Sequence, residues 1–133
     1  MISNPEHGWC NFKLGDFKGV ASYLTDVPLD LINAFIDYHE KGSGVVIFDE
    51  EGSYFTLVLT AYNCGIYIIE EKEECITHSF WDMNIEDLEK ELISDIESNL
   101  HGWSSFIMCG LQSKLEYEKI IKQKIDKLKS YVK

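Results

Sequence analysis

Apolar and polar residues alternate over Trp9-Cys10-Asn11-Phe12-Lys13-Leu14, which predicts a strand, and Gly15-Asp16 predicts the turn after it. Phe17 to Leu24 reads as the returning strand of a hairpin. The period then changes. Thr25-Asp26-Val27-Pro28 combines an acidic N-cap with a proline in the first turn, where the missing N–H costs nothing, and predicts a helix. Leu31, Ile32, Phe35, Ile36 and His39 follow at helical spacing until Gly42-Ser43-Gly44 ends it. Four strands are expected next: Val45 to Phe48, Tyr54 to Ala61, Ile66 to Ile69, and Cys75 to Trp81. Their links, Asp49-Glu50-Glu51-Gly52, Asn63-Cys64-Gly65 and Glu70-Glu71-Lys72-Glu73-Glu74, are too short for parallel crossovers, so neighbouring strands should be antiparallel.

Asn84 predicts the cap of a long helix with Ile85, Leu88, Leu92, Ile96, Leu100 and Trp103 on one stripe, and Gly102 and Gly110 mark places where it bends or ends. Ser113-Lys114-Leu115-Glu116 matches a capping box and predicts a last helix to about residue 132, with Tyr117, Ile120, Ile121, Leu128 and Tyr131 as its apolar stripe. The order is hairpin, helix, meander and two C-terminal helices. That is an α+β fold: an antiparallel sheet of about five or six strands packed with helices, in a single domain over residues 1–133.

Charge divides this chain unevenly. Residues 1–112 hold 5 Lys against 20 Asp or Glu, a balance of −15, whereas residues 113–133 hold 7 Lys against 3 acids, a balance of +4. Arginine is absent throughout. An acidic body disfavours nucleic acid as a partner, because phosphate binding draws its strength from an excess of cations. No apolar run reaches the roughly 18–20 residues of a membrane span, and the N-terminal residues lack a basic start and apolar stretch, so a cytoplasmic protein with no membrane partner is expected. Cys10, Cys64, Cys75 and Cys109 form no C-x-x-C pair and are expected as thiols.

Candidate chemistry is thin. Cys75 and His78 are a close thiol and imidazole pair, and on a strand their side chains point to opposite faces, so no metal and no cofactor is expected. No serine stands in a nucleophile elbow and no glycine loop has phosphate-binding spacing. An enzyme is therefore not the first reading. Acids cluster in two predicted turns, Asp49, Glu50 and Glu51 in one and Glu70, Glu71, Glu73 and Glu74 in the other. Between them runs a strand whose two faces differ. Phe55, Leu57, Leu59 and Ala61 read as core, while Tyr54, Thr56, Val58, Thr60 and Tyr62 face the other way. That second face either lies under a helix or meets a partner, for which tyrosine supplies contact area at low entropic cost.

The runs Ser22-Tyr23-Leu24-Thr25-Asp26-Val27-Pro28, Phe48-Asp49-Glu50-Glu51-Gly52-Ser53 and Ile66-Tyr67-Ile68-Ile69-Glu70-Glu71, with Trp103 in the long helix, resemble the small immunity proteins of bacterial polymorphic-toxin and contact-dependent growth inhibition systems. The likeness covers about residues 9–106 and is one of layout and acidity. It implies a non-catalytic cytosolic inhibitor, monomeric and binding 1:1 to a cognate toxin domain with a basic surface, often a nuclease. The expected partner-binding residues are Asp49, Glu50, Glu51, Tyr54, Tyr62, Glu70, Glu71, Glu73 and Glu74. The alternative is a small enzyme or ligand-binding domain with a pocket between sheet and helices, drawing on Tyr23, His39, His78 and Trp81.

Overall fold

A computed structural model describes residues 1–62, 65–107 and 111–132, without the side chains of 111 and 112. Strands β1 (Ile2–Glu6), β2 (Trp9–Leu14) and β3 (Phe17–Ser22) form one antiparallel sheet in the order β1-β2-β3. Helix α1 (Val27–Lys41) leads to a second antiparallel sheet, β4 (Ser43–Asp49), β5 (Tyr54–Thr60), β6 (Gly65–Glu71) and β7 (Cys75–Ser79), in sequence order. Helices α2 (Ile85–Glu97), α3 (Leu100–Ser104) and α4 (Leu111–Lys129) complete the chain. The α+β class, the hairpin, the meander and the C-terminal helices are as the sequence predicts.

Three details differ. The expected single sheet is two: β3 and β4, on either side of α1 in the chain, come close but share no hydrogen-bonded ladder. Side chains couple the sheets instead: Phe12 and Phe17 of the first lie 5.3 and 5.2 Å from Phe55 of the second, and Phe48 stacks on Phe55 at 4.5 Å. Gly19 makes room for that cluster, since a Cβ there would stand 2.8 Å from the Phe55 ring. Second, β1 was not legible. It buries Ile2 but is otherwise exposed or half-buried, contains Pro5, and sits at an edge where proline is tolerated. Third, the long helix is divided. The Asn99 side chain accepts from the Gly102 N–H at 3.2 Å and starts α3, while the Trp103 indole donates to the Asp95 carbonyl at 3.2 Å, satisfying an acceptor near the open end of α2.

Helix α1 forms as its signals require. The Asp26 carboxylate accepts from the Leu29 N–H at 3.3 Å, and Gly42 ends the helix at φ 88° with its N–H on the Tyr38 carbonyl. Its buried stripe of Leu31, Ile32, Phe35 and Ile36 packs on the inner side of the second sheet. The approach is close: a Cβ on Gly44 of β4 would lie 1.9 Å from the Ala34 carbonyl oxygen. Helix α4 packs on α1 and α3 through Tyr117, Ile121, Ile125 and Leu128. It starts earlier than its capping-box sequence predicts, so Ser113 lies inside it, and Ile120 faces out while Ile125 takes its expected place. The Tyr117 hydroxyl donates to Asp26, tying α4 to the start of α1. Lysines on α4 answer acids on its neighbours, Lys129 pairing with Glu97 of α2 at 2.8 Å and Lys127 with Glu40 of α1 at 3.4 Å. Among the described residues no helix is long and apolar enough to cross a membrane.

Candidate docking face of the four-stranded sheet

Alternation in β4 and β5 sorts the second sheet into two faces. Val46, Phe48, Phe55, Leu57, Leu59, Ile66 and Ile68 point inward and are buried. The outward residues align in rows set by the strand register. Asp49, Tyr54, Glu71 and Cys75 make the first row, Ile47, Thr56, Ile69 and Thr77 the second, and Val45, Val58, Tyr67 and Ser79 the third. Val45 is 56 % exposed, Ile47 53 % and Tyr54 45 %, while Thr56, Val58, Tyr67 and Ile69 are half-buried by one another. Helix α1 lies on the opposite side, so the tyrosine face is not covered by it.

Aromatic residues mark the far end of this face. The Tyr67 ring lies over Gly65, two positions back, where a Cβ would come within 2.2 Å of it, and Trp81 meets Tyr67 edge-on at 6.4 Å. Trp81 is 75 % exposed, large for an indole and uncommon without a contact to make.

Both acidic turns stand at the other end, because Asp49 pairs with Tyr54, Tyr54 with Glu71 and Glu71 with Cys75. Each turn is held by its own polar groups. Asp49 accepts from the Glu51 N–H at 2.7 Å, allowing Glu51 to sit at φ 57°, and Glu50 accepts from the Ser53 hydroxyl at 3.1 Å. Glu51, Glu71, Glu73 and Glu74 are exposed.

Three expected members of the site lie apart from it. Glu50 is half-buried and lines a cleft with Lys13, Lys18 and Val20 of the first sheet. Glu70 has inward parity: it hydrogen-bonds His78 at 2.7 Å and pairs with Lys72 at 3.5 Å, and the His78 bond leads the effects that hold its carboxyl below the usual range. It is a structural acid near the end of β6, an inner strand paired on both sides. Tyr62 falls beyond the end of β5, one residue after Ala61, whose N–H bonds the Gly42 carbonyl at 2.8 Å and turns the chain. It is 85 % exposed but stands about 20 Å or more from the acidic turns, the length of a seven-residue strand. Ala61, expected in the core, is exposed for the same reason.

Residues the sequence reading passed over complete the face. Val45 and Ile47 belonged to a short apolar run that reads equally as a fully buried strand, and only the pleat separates them from Val46 and Phe48. Tyr67 and Ile69 were hidden in the same way. The alternative pocket of Tyr23, His39, His78 and Trp81 does not assemble. His39 and His78 line separate clefts, and neither Tyr23 nor Trp81 lines either of them. Among the described residues no group of three or more His, Cys, Asp or Glu could hold a metal ion, and Cys75 and His78 point to opposite faces. Cys64, Cys109 and Gly110 lie outside the described residues. No protein-family model matches the chain, and no match was found among curated proteins or solved structures.

Proposed function

We propose that this chain is a non-catalytic immunity protein that binds and neutralises a toxin domain carrying a basic surface. The observation that supports this most is the outward face of β4 to β7, where exposed Val45, Ile47 and Tyr54 lie between Asp49, Glu51, Glu71, Glu73 and Glu74 at one end and Trp81 at the other. An apolar centre with a charged rim is how a protein-binding surface is built: desolvated aromatic and aliphatic groups set the lifetime of the complex, and peripheral charge sets how fast it forms. The partner is basic because the rim is acidic. The resemblance to immunity proteins supplies the kind of partner, and with it a cytoplasmic location and a 1:1 complex of a monomer.

The test is growth of cells expressing candidate toxin domains, taken from whatever reading frames neighbour this chain's gene, with and without this protein. Protection is expected, and Ile47→Asp or Tyr54→Ala should abolish it while leaving the circular dichroism and urea midpoint close to those of the parent. Glu51→Lys with Glu71→Lys should slow association with the purified toxin, and raising ionic strength to physiological levels should slow the parent likewise. Full protection by Ile47→Asp, or an association rate indifferent to salt, would overturn the assignment of this face.

A further inference from the structure

On the helical side, three helices converge on a cleft of about 480 Å³, a volume within the range that small-ligand sites occupy. Tyr38 and His39 enter it from the last turns of α1, Glu86 and Glu89 from the first turns of α2, and Tyr131 from the residues after α4, with Met83 also lining it. The aromatic wall is fixed from both sides. Tyr131 stacks on the His39 ring at 4.9 Å and 6°, Tyr38 meets that ring edge-on at 5.5 Å, and the Tyr131 hydroxyl donates to Glu40 at 2.9 Å.

Glu89 is the unusual member. It is fully buried, its Oε1 is hydrogen-bonded to His39 Nε2, and its Oε2 has no hydrogen-bond partner among the described residues. Burial outweighs the His39 contact and holds its carboxyl above the usual range. A buried acceptor of this kind is costly to leave unmade, so its environment favours a donor. Acids predominate around the cleft: Glu86 and Glu89 line it, Glu86 in a half-exposed pair with Lys90 at 3.3 Å, Glu40 sits behind Tyr131, and nearby Lys127 is held on Glu40. A planar cation with several N–H donors suits such a setting, since a guanidinium stacks on aromatic faces and gives a two-pronged bond to a carboxylate. The chain contains no arginine and cannot supply that group itself.

We infer that this cleft binds an alkylguanidinium group, stacked against the Tyr131 and Tyr38 rings and hydrogen-bonded to Glu86 and Glu89. The site shares no residue with the sheet face and stands independently of the immunity reading. The guanidinium arrives either on a free small molecule or as an arginine side chain of another protein.

Titrating n-butylguanidinium and a terminally blocked Gly-Arg-Gly peptide into ¹⁵N-labelled protein tests this, with n-butylurea as the uncharged control. Saturable shifts at the Glu86 and Tyr131 amides and the His39 ring are expected for the cations, with a dissociation constant on the order of 1 mM or tighter for so small a ligand. Glu89→Gln should weaken binding about tenfold by putting an amide in place of the buried carboxyl, and Glu86→Gln, at a half-exposed position that leaves the fold untouched, several-fold. Tighter binding of the peptide assigns the site to a protein's arginine, and equal or tighter binding of butylguanidinium assigns it to a small molecule. Absence of saturable shifts, equal binding of n-butylurea, or Glu86→Gln binding as tightly as the parent would overturn the inference.

Discussion

The contact of α1 with β4 rests on one missing side chain, and Gly44→Ala measures what it is worth. The added Cβ would lie 1.9 Å from the Ala34 oxygen, 2.7 Å from its carbonyl carbon and 3.0 Å from its Cα. An ordinary carbon–oxygen contact is about 3.3 Å, so the helix must retreat by roughly 1.4 Å. All the nearest atoms are backbone, and no side chain can rotate away to absorb the strain. A retreat of that size opens a gap under Leu31, Ile32 and Phe35, and a gap of 0.5–1 Å already forfeits about a quarter to a half of each dispersion contact. We expect a loss of about 3 kcal/mol or more, the upper end for overpacking. At about 1–3 kcal/mol per molar urea, the midpoint should fall by roughly 1–3 M with an unchanged slope.

Gly42→Ala is the informative comparison. Gly42 has a left-handed backbone at φ 88° but nothing within 4 Å of its would-be Cβ, so alanine there should cost only about 1–2 kcal/mol of backbone strain. Urea unfolding of both variants, followed by far-ultraviolet circular dichroism, ranks steric against conformational cost in one helix-to-strand junction. A Gly44→Ala midpoint at or above that of Gly42→Ala would refute the close-packing argument.

Two further outcomes can be read on the isolated protein. Burial, and after it the Asp26 charge, pushes the Asp30 carboxyl from 3.8 up to about 6, so the folded state holds a proton there that the unfolded chain has released. Its ionised form therefore opposes folding above about pH 6, and the penalty fades as pH falls toward 3.8. Asp30→Asn should accordingly be more stable than the parent at pH 7.5, with the difference disappearing near pH 4; a difference of constant size across that span would contradict the assignment. Cys10 is buried, with its thiol pushed up to about 12 by desolvation, whereas Cys75 is exposed on β7. A thiol reagent followed by peptide mass mapping should label Cys75 in the native protein and Cys10 only after denaturant is added. Comparable native labelling of Cys10 would show that its strand opens.

Periodicity carried the fold a long way because most elements obey one rule each. The α1 stripe, the β5 alternation and the Asn84 cap all act locally, and each is where the residues place it. What escaped was decided between elements. Whether β3 pairs with β4 depends on how the two sheets meet, and no residue in either strand records it. Glu70 and Glu71 are neighbours in a run of acids, yet the pleat sends one to His78 and the other to Tyr54. A list of charges cannot distinguish them; a register can. Glu89 was legible in principle. With Ile85, Leu92 and Ile96 it completes a strict helical stripe, and an acid on such a stripe is the signal that a buried partner waits across it.

Placing both acidic turns at one end of the second sheet, with Tyr67 and Trp81 at the other, gives the outward face a direction as well as an area. A partner drawn in by charge would be held first at one end, and its orientation would be chosen before any apolar atom is desolvated. Rotating the same partner by half a turn would set its basic region over the indole and leave the carboxylates facing nothing. The sheet would thus act as a compass needle: strands β4 to β7 define an axis, and recognition along it would be a matter of heading before it is a matter of fit.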